Sequence, residues 1–175
     1  EWSRQQVVVL EGFLDPEEWE RCRESMLTPV IHQPEQLRIM ERAPPAPGFT
    51  AWVKVDTGMH RLGFPPAELA SVLARLRAIQ PATEIVLMTH FARAEDAAHP
   101  GTAEQIACFD AATAAFGLPG SLANSAAISA WPGCHREWVR PGLMLYGVAS
   151  PGCRAPLRAV MTLRSRVIEI GRAHV

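Results

Sequence analysis

The residues able to do chemistry in this 175-residue chain fall into four short clusters. The first is Lys54-Val55-Asp56-Thr57-Gly58-Met59-His60-Arg61-Leu62-Gly63. Where a strand ends there, period-two alternation puts Lys54 and Asp56 on one face. Gly58 and Gly63 let the backbone turn sharply around Arg61, and an arginine held in that way suits bidentate recognition of a carboxylate. A solvated loop with an ordinary ion pair explains the same residues equally well. The second cluster, Met88 to Asp96, sets His90 just beyond an apolar run, as a base, a stacking partner or a structural histidine. No second histidine stands at zinc-ligand spacing, so no metal site is expected. The third, Ala123-Asn124-Ser125-Ala126-Ala127, offers small polar groups at a helix start: an anion site or a plain N-cap. The fourth runs from Trp138 to Gly147. There Arg140 lies in an apolar segment where a charge needs a partner, and a structural salt bridge would supply one. Gly142 lets the backbone approach a ligand, and its amide and that of Leu143 can donate to phosphate.

The intervening sequence must position these clusters. Val7–Leu10, Pro29–His32, Thr50–Val55, Glu84–Met88, Ser121–Ala123 and Leu143–Tyr146 read as short strands. Asp15-Pro16-Glu17-Glu18 has the form of a helix start, with a capping carboxylate, proline at the first position and acids in the first turn. Pro34 opens a helix through Met40, and the three prolines of Ala43–Gly48 make a loop. Leu69, Val72, Leu73 and Leu76 recur with helical spacing. Thr102 with Gln105 fits a capping box opening a helix that carries Ile106, Phe109 and Phe116. Strand and helix in alternation imply βα units and a parallel sheet. Open doubly wound sheets and closed barrels both satisfy that pattern, although no glycine fingerprint of dinucleotide binding is present. In either arrangement functional groups gather at the carboxyl ends of the strands, where all four clusters fall.

Bulk properties narrow the class. A formal net charge of −1 with scattered basic residues gives no footprint for nucleic acid or an anionic membrane surface. No apolar run approaches the roughly 20 residues that span a bilayer, and no signal peptide opens the chain. Cys22, Cys108, Cys134 and Cys153 lie far apart and read as free thiols, which with the lack of a secretory signal points to the cytoplasm. The chain opens on Glu1 and reaches an apolar β-type run almost at once, so preceding strands are expected outside it.

Taken in order, the clusters resemble alanine racemases of the fold-type III pyridoxal-phosphate class. The similarity runs from Val7 to about Ile168. It is most specific at Lys54–Gly63 (KVDTGMHRLG), Thr89–Asp96 (THFARAED) and Trp138–Gly147 (WVRPGLMLYG), with Leu10-Glu11-Gly12-Phe13 and Asn124-Ser125-Ala126-Ala127 in support. The resemblance implies an α/β fold: a partial (β/α)8 TIM barrel over residues 1–155, and from 156 to 175 the start of a mostly β carboxyl-terminal domain. It implies interconversion of L- and D-alanine with pyridoxal 5'-phosphate, supplying D-alanine for peptidoglycan, in a cytoplasmic homodimer.

Residue by residue, Arg61 matches the arginine that steers the substrate carboxylate, with Lys54 as its brace. His90 matches the histidine against the cofactor ring, Asn124 belongs to the cofactor-binding run, and Ser125 with the backbone of Gly142 and Leu143 corresponds to phosphate contacts. Arg140 corresponds to the arginine at the pyridine nitrogen. A guanidinium donates a hydrogen bond without surrendering its proton, so the ring is left a weaker electron sink and simple return of the proton is favoured. Neither catalytic base of the family, the Schiff-base lysine and a tyrosine from the partner subunit, has a counterpart here, and the chain by itself is expected to be inactive. Tyr146, the sole tyrosine, matches the barrel's closing strand. Val160–Ile170 resembles the strand entering the second domain, whereas Gly171–Val175 departs from the pattern and reads as foreign to it.

Two other readings compete. One is a non-catalytic pyridoxal-phosphate-binding barrel protein, against which Arg61 and Val160–Ile170 argue. The other is a racemase acting on serine or a broader amino-acid set.

Overall fold

A computed structural model describes residues 6–44, 48–81, 84–167 and 170–171. Each element forms for a local reason. β1 (Val8–Val9) leads to α1 (Pro16–Glu24), where extended Asp15 accepts the amide hydrogen of Glu18 at 2.8 Å and Pro16 occupies the first turn. β2 (Thr28–Ile31) is buried throughout and leads to α2 (Pro34–Glu41). The Gln36 side chain ties the two, donating to Val30 O at 3.1 Å and accepting from His32 N at 2.7 Å. β3 (Thr50–Lys54) precedes α3 (Leu69–Ile79), whose Leu69, Val72, Leu73 and Leu76 are all buried, as their spacing requires. β4 (Glu84–Met88), α4 (Gly101–Thr113), β5 (Gly120–Asn124), α5 (Ser125–Ala130), β6 (Trp138–Arg140) and α6 (Gly142–Leu145) complete the order. Of the expected loop over 43–48, residues 45–47 lie outside the described residues.

All six strands are parallel and lie side by side in chain order, β1 to β6. That order decides what periodicity left open. A doubly wound sheet reverses its order at a switch point; here every crossover steps the same way, so the right-handed connections set the helices on one face and the sheet curls around the other into part of a barrel. The side chains divide accordingly. Ile31, Ala51, Val53, Ile85 and Leu87 join the large core under the helices. Val30, Trp52, Val86 and Met88 form a separate cluster on the opposite, inner face. Trp52 and Trp138 pack there with ring centroids 5.7 Å apart. Lys54 follows Trp52 by two residues and pairs in register with Met88, so the same alternation delivers its side chain to the inner face at the carboxyl edge.

Three expectations are corrected. Leu143–Tyr146 is not a strand: the last strand is Trp138–Arg140, and Gly142–Leu145 turns as a short helix ending at Tyr146. Its apolar run carries no alternation, and such a run does not separate strand from helix. Thr102 and Gln105 do not make a capping box. α4 starts one residue earlier, at Gly101 behind Pro100, so Thr102 is already inside the helix and Gln105 points into the protein; Phe116 lies beyond the helix end. Residues 160–167 and 170 form no strand, and among the described residues no strand pairs with them. Residues 168–169, and 172–175 of the expected foreign tail, lie outside the described residues.

Among the described residues β1 and β6 each pair on one side only, and Val7, Leu10, Val139, Leu143 and Leu145 are exposed near those edges. Unpaired strand edges beside apolar side chains recruit other chains. The isolated 175-residue chain is therefore expected to elute as oligomers or aggregates in size-exclusion chromatography; a monomer with sharp, cooperative thermal unfolding would contradict this.

Candidate functional site at the carboxyl edge of the sheet

The loop after β3 is built by one carboxylate. Asp56 Oδ1 accepts the backbone amides of Gly58, Met59 and His60 at 3.1, 3.2 and 3.0 Å, and its Oδ2 lies 2.9 Å from His60 Nδ1. Burial raises the pKa of Asp56, but the His60 and Gly58 amides and the His60 ring outweigh it and hold the carboxyl below its ordinary value. The loop is closed by Phe64 N donating to Lys54 O and Asp56 N to Phe64 O, each at 2.9 Å. Gly63 (φ +120) is required at that closure: a Cβ there would meet Asp56 N at 2.8 Å. The loop presents Arg61, exposed and without an ion-pair partner among the described residues. Asp56 is bonded to the His60 ring and the loop's own amides, which leaves the Arg61 fork free to bind an anion.

Lys54, the chain's only lysine, is buried beneath that arginine. Desolvation, then the charges of Arg61 and Arg140, lower its pKa against the opposing pull of Asp56. His90, after β4, is pushed down to about 4 by burial, then by Arg140, Lys54 and Arg61, so it is neutral at physiological pH. Its Nδ1 faces Arg140 Nη2 at 3.5 Å, which as a neutral ring assigns Nδ1 as the acceptor.

Arg140, at the end of β6, has no carboxylate partner among the described residues. Its guanidinium donates instead to the Ser121 carbonyl at 2.8 Å, Ser121 Oγ at 2.5 Å, Thr89 O at 2.6 Å and Leu122 O at 3.2 Å. Carbonyls of β5 and of the residue after β4 thus stand where the alternative reading put a salt bridge, and burial pushes the guanidinium down to about 10. Asn124 ends β5 and caps α5, accepting Ala127 N at 3.0 Å, so its Oδ1 is committed to the helix. Ser125 Oγ accepts Met144 N at 3.1 Å, which ties α6 to α5 and leaves the hydroxyl hydrogen to donate.

All eight residues singled out from the sequence, Lys54, Arg61, His90, Asn124, Ser125, Arg140, Gly142 and Leu143, line one open cleft of about 1040 Å³. Nothing lies within 4 Å of a Cβ position at Gly142, so the backbone there faces free space. Sequence reading missed Glu11 and Glu95, the acids of the cleft wall, and the apolar lining of Leu10, Leu62 and Met88. Glu11 stood in a recognised stretch, but no spacing signal distinguishes a wall residue from a surface one. Gln105 was misread as part of a cap, yet it bonds the loops that carry Arg61 and His90.

A partial parallel barrel with a cationic, partly apolar mouth belongs to the class of α/β barrel domains that hold an anionic small molecule at the carboxyl edge of the sheet. Residues 2–150 match the family model for the alanine racemase N-terminal domain, and the chain belongs to that family. It is 46% identical over 167 residues to the alanine racemase of Azoarcus sp. (strain BH72), aligning over 95% of this chain and 47% of that protein. The biosynthetic alanine racemase of Pseudomonas aeruginosa superposes with a TM-score of 0.76 at 38% identity, over 83% of this chain and 40% of that one. An alanine racemase from Bartonella henselae with covalently bound pyridoxal phosphate gives 0.74 at 30% identity, over 89% and 44%. The chain spans about half the length of the curated relatives it matches.

The depressed pKa of His90 gives a pH signature. The unfolded chain binds the His90 proton below pH 6.5 while the folded one resists it down to about 4. Stability is therefore expected to fall as pH drops from 6.5 towards 4 and to be level above it. His90→Asn should flatten that limb in urea titrations of the full-length protein; an unchanged slope would place the protonation elsewhere. Arg140→Met is expected to destabilise by about 3 kcal/mol, because it strips charge-assisted donors from the buried carbonyls of Thr89, Ser121 and Leu122. Urea unfolding followed by tryptophan fluorescence measures this, and a neutral result would separate Arg140 from the architecture.

Proposed function

We propose that the full-length protein carrying this chain is a pyridoxal-phosphate-dependent alanine racemase, and that this chain forms the cradle for cofactor and substrate. The observation that carries the reading is the convergence of Lys54, Arg61, His90, Ser125 and Arg140 on one cleft. The donor set fits the cofactor. Ser125 keeps a hydroxyl hydrogen for a phosphate, the open backbone of Gly142 and Leu143 lies beside it, and neutral His90 offers a flat face. Arg140 is fixed by carbonyls on several sides and so offers a guanidinium of set direction to a ring nitrogen. When bound, pyridoxal phosphate supplies the electron sink that makes the Cα proton of an amino acid removable.

The chain's own residues then bind and orient. Arg61 engages the substrate carboxylate from above, and buried Lys54 reinforces the positive potential without competing for the fork. The proton-transfer bases are not assigned to this chain. The proposal includes a barrel over residues 1–155 and a second domain beginning at 156, a cytoplasmic homodimer, and D-alanine supply for peptidoglycan. Nucleic acid and membrane are not assigned as partners, and no helix among the described residues is long and apolar enough to cross a membrane. The free fork of Arg61 favours a racemase over a protein that only binds the cofactor, which has no carboxylate to steer.

The full-length protein is expected to convert L-alanine to D-alanine, followed by polarimetry or a D-amino-acid oxidase couple. Arg61→Ala should raise KM for alanine roughly tenfold or more with the cofactor absorbance retained. Cofactor binding without turnover of either enantiomer would transfer the protein to the non-catalytic class, and faster turnover of serine would reassign its substrate.

A further inference from the structure

The two loops that bear Arg61 and His90 follow different strands and share no covalent frame, yet one buried side chain from a third element bonds both. Gln105 of α4 is 4% exposed. Its Nε2 donates to His90 O at 3.0 Å and to Thr57 Oγ1 at 3.2 Å, while its Oε1 accepts Ala92 N at 2.9 Å. Both donors and the acceptor are used, so the amide has one orientation; flipping it would set donor against donor and acceptor against acceptor. Thr57 Oγ1 is also 2.7 Å from Thr89 Oγ1, and the Thr89 carbonyl accepts Arg140 Nη2 at 2.6 Å. The Gln105 stem forms the floor of the first loop as well, since a Cβ at Gly58 would lie 3.4 Å from its Cγ.

We propose that Gln105 is a positioning residue that locks the Arg61 loop to the His90 loop, and through Thr57 and Thr89 to Arg140, so that carboxylate recognition keeps a fixed distance from the cofactor face. It touches neither substrate nor cofactor and acts through Thr57 and the His90 backbone. Its functional consequence rests on the racemase reading; the mechanical link does not. Because the carboxylate is bound by the loop it anchors, loss of Gln105 acts on substrate binding more than on the chemical step.

The test uses the full-length protein with Gln105→Met, which keeps the side chain's volume and removes its three hydrogen bonds. KM for L-alanine is expected to rise roughly tenfold while kcat changes by less than about threefold, with the cofactor absorbance unchanged. Amide hydrogen exchange should accelerate in residues 57–61 and 90–92 and stay constant in β3 and β4. Thr57→Val severs one arm only: it should loosen 57–61, leave 90–92 protected, and add little to Gln105→Met. Unchanged KM, or exchange that rises evenly across the fold, would overturn the proposal as a merely structural role. If the unaltered protein racemises no amino acid, the functional reading fails, and the exchange pattern alone decides the link. Should Gln105→Met not fold, Thr57→Val carries the same decision through KM and the 57–61 segment.

Discussion

Backbone carbonyls can hold a buried cation where no carboxylate stands beside it. In this chain the guanidinium of Arg140 gathers carbonyls from β5 and from the residue that follows β4. It takes the carbonyls of Thr89, just after β4, and of Ser121 and Leu122 from β5, and adds the Ser121 hydroxyl. Burying an ion without a counter-ion is costly, and the burial shows in the lowered pKa of the group. The cost is offset by the four oxygen acceptors that surround the guanidinium. Fixed in this manner, Arg140 sets the floor of the cleft. It depresses His90, helps to depress Lys54, and ties β6 to β5 and to the residue after β4.

The rest of the mouth is built by carboxylate and amide groups that organise backbone rather than neutralise cations. Asp56 spends both oxygens on its own loop, and Gln105 spends its whole amide on two loops. Glu11 and Glu95 sit on the cleft wall but pair with none of Lys54, Arg61 or Arg140. The outcome is a concentration of uncompensated positive charge that solvent screens only in part. Such a site favours an anionic ligand: Arg140 is already fixed by the oxygens around it, and Arg61 presents a fork unpaired among the described residues.

The two faces of the sheet divide the labour. The outer face packs a continuous core under the helices, with Trp19, Leu37, Leu73, Leu76 and Leu122 nearly inaccessible to solvent. The inner face carries Val30, Trp52, Val86 and Met88 and, one step further along β3, Lys54. Apolar side chains form the inner-face cluster, with Ser121 of β5 as a buried polar group bonded to Arg140. Stability and chemistry are thereby placed at different levels of the same strands.

Much of this was legible in the residues themselves. Helix periodicity at Leu69–Leu76, the Asp15-Pro16 start and the β-branched runs each follow from short-range sterics and hydrogen bonding, which a linear pattern encodes. The eight candidate site residues were legible because strand-end chemistry clusters in sequence wherever strands are parallel. What the linear pattern lacks is a partner's position. Periodicity did not separate a barrel from an open sheet, because that depends on the order in which strands pair. It misread Thr102 and Gln105 as a cap, because the polar partners of Gln105 lie 13, 15 and 48 residues away. It made a strand of Leu143–Tyr146, because an apolar run becomes strand or helix according to what stands beside it. It offered a salt bridge as the alternative reading of Arg140, whereas the partners are carbonyls that every residue possesses and no sequence displays. Chain-local forces determined the elements and the types of group at their ends; only the tertiary pairing of strands decided which groups face one another, since burial and long-range hydrogen bonding exist only between residues that folding has brought together.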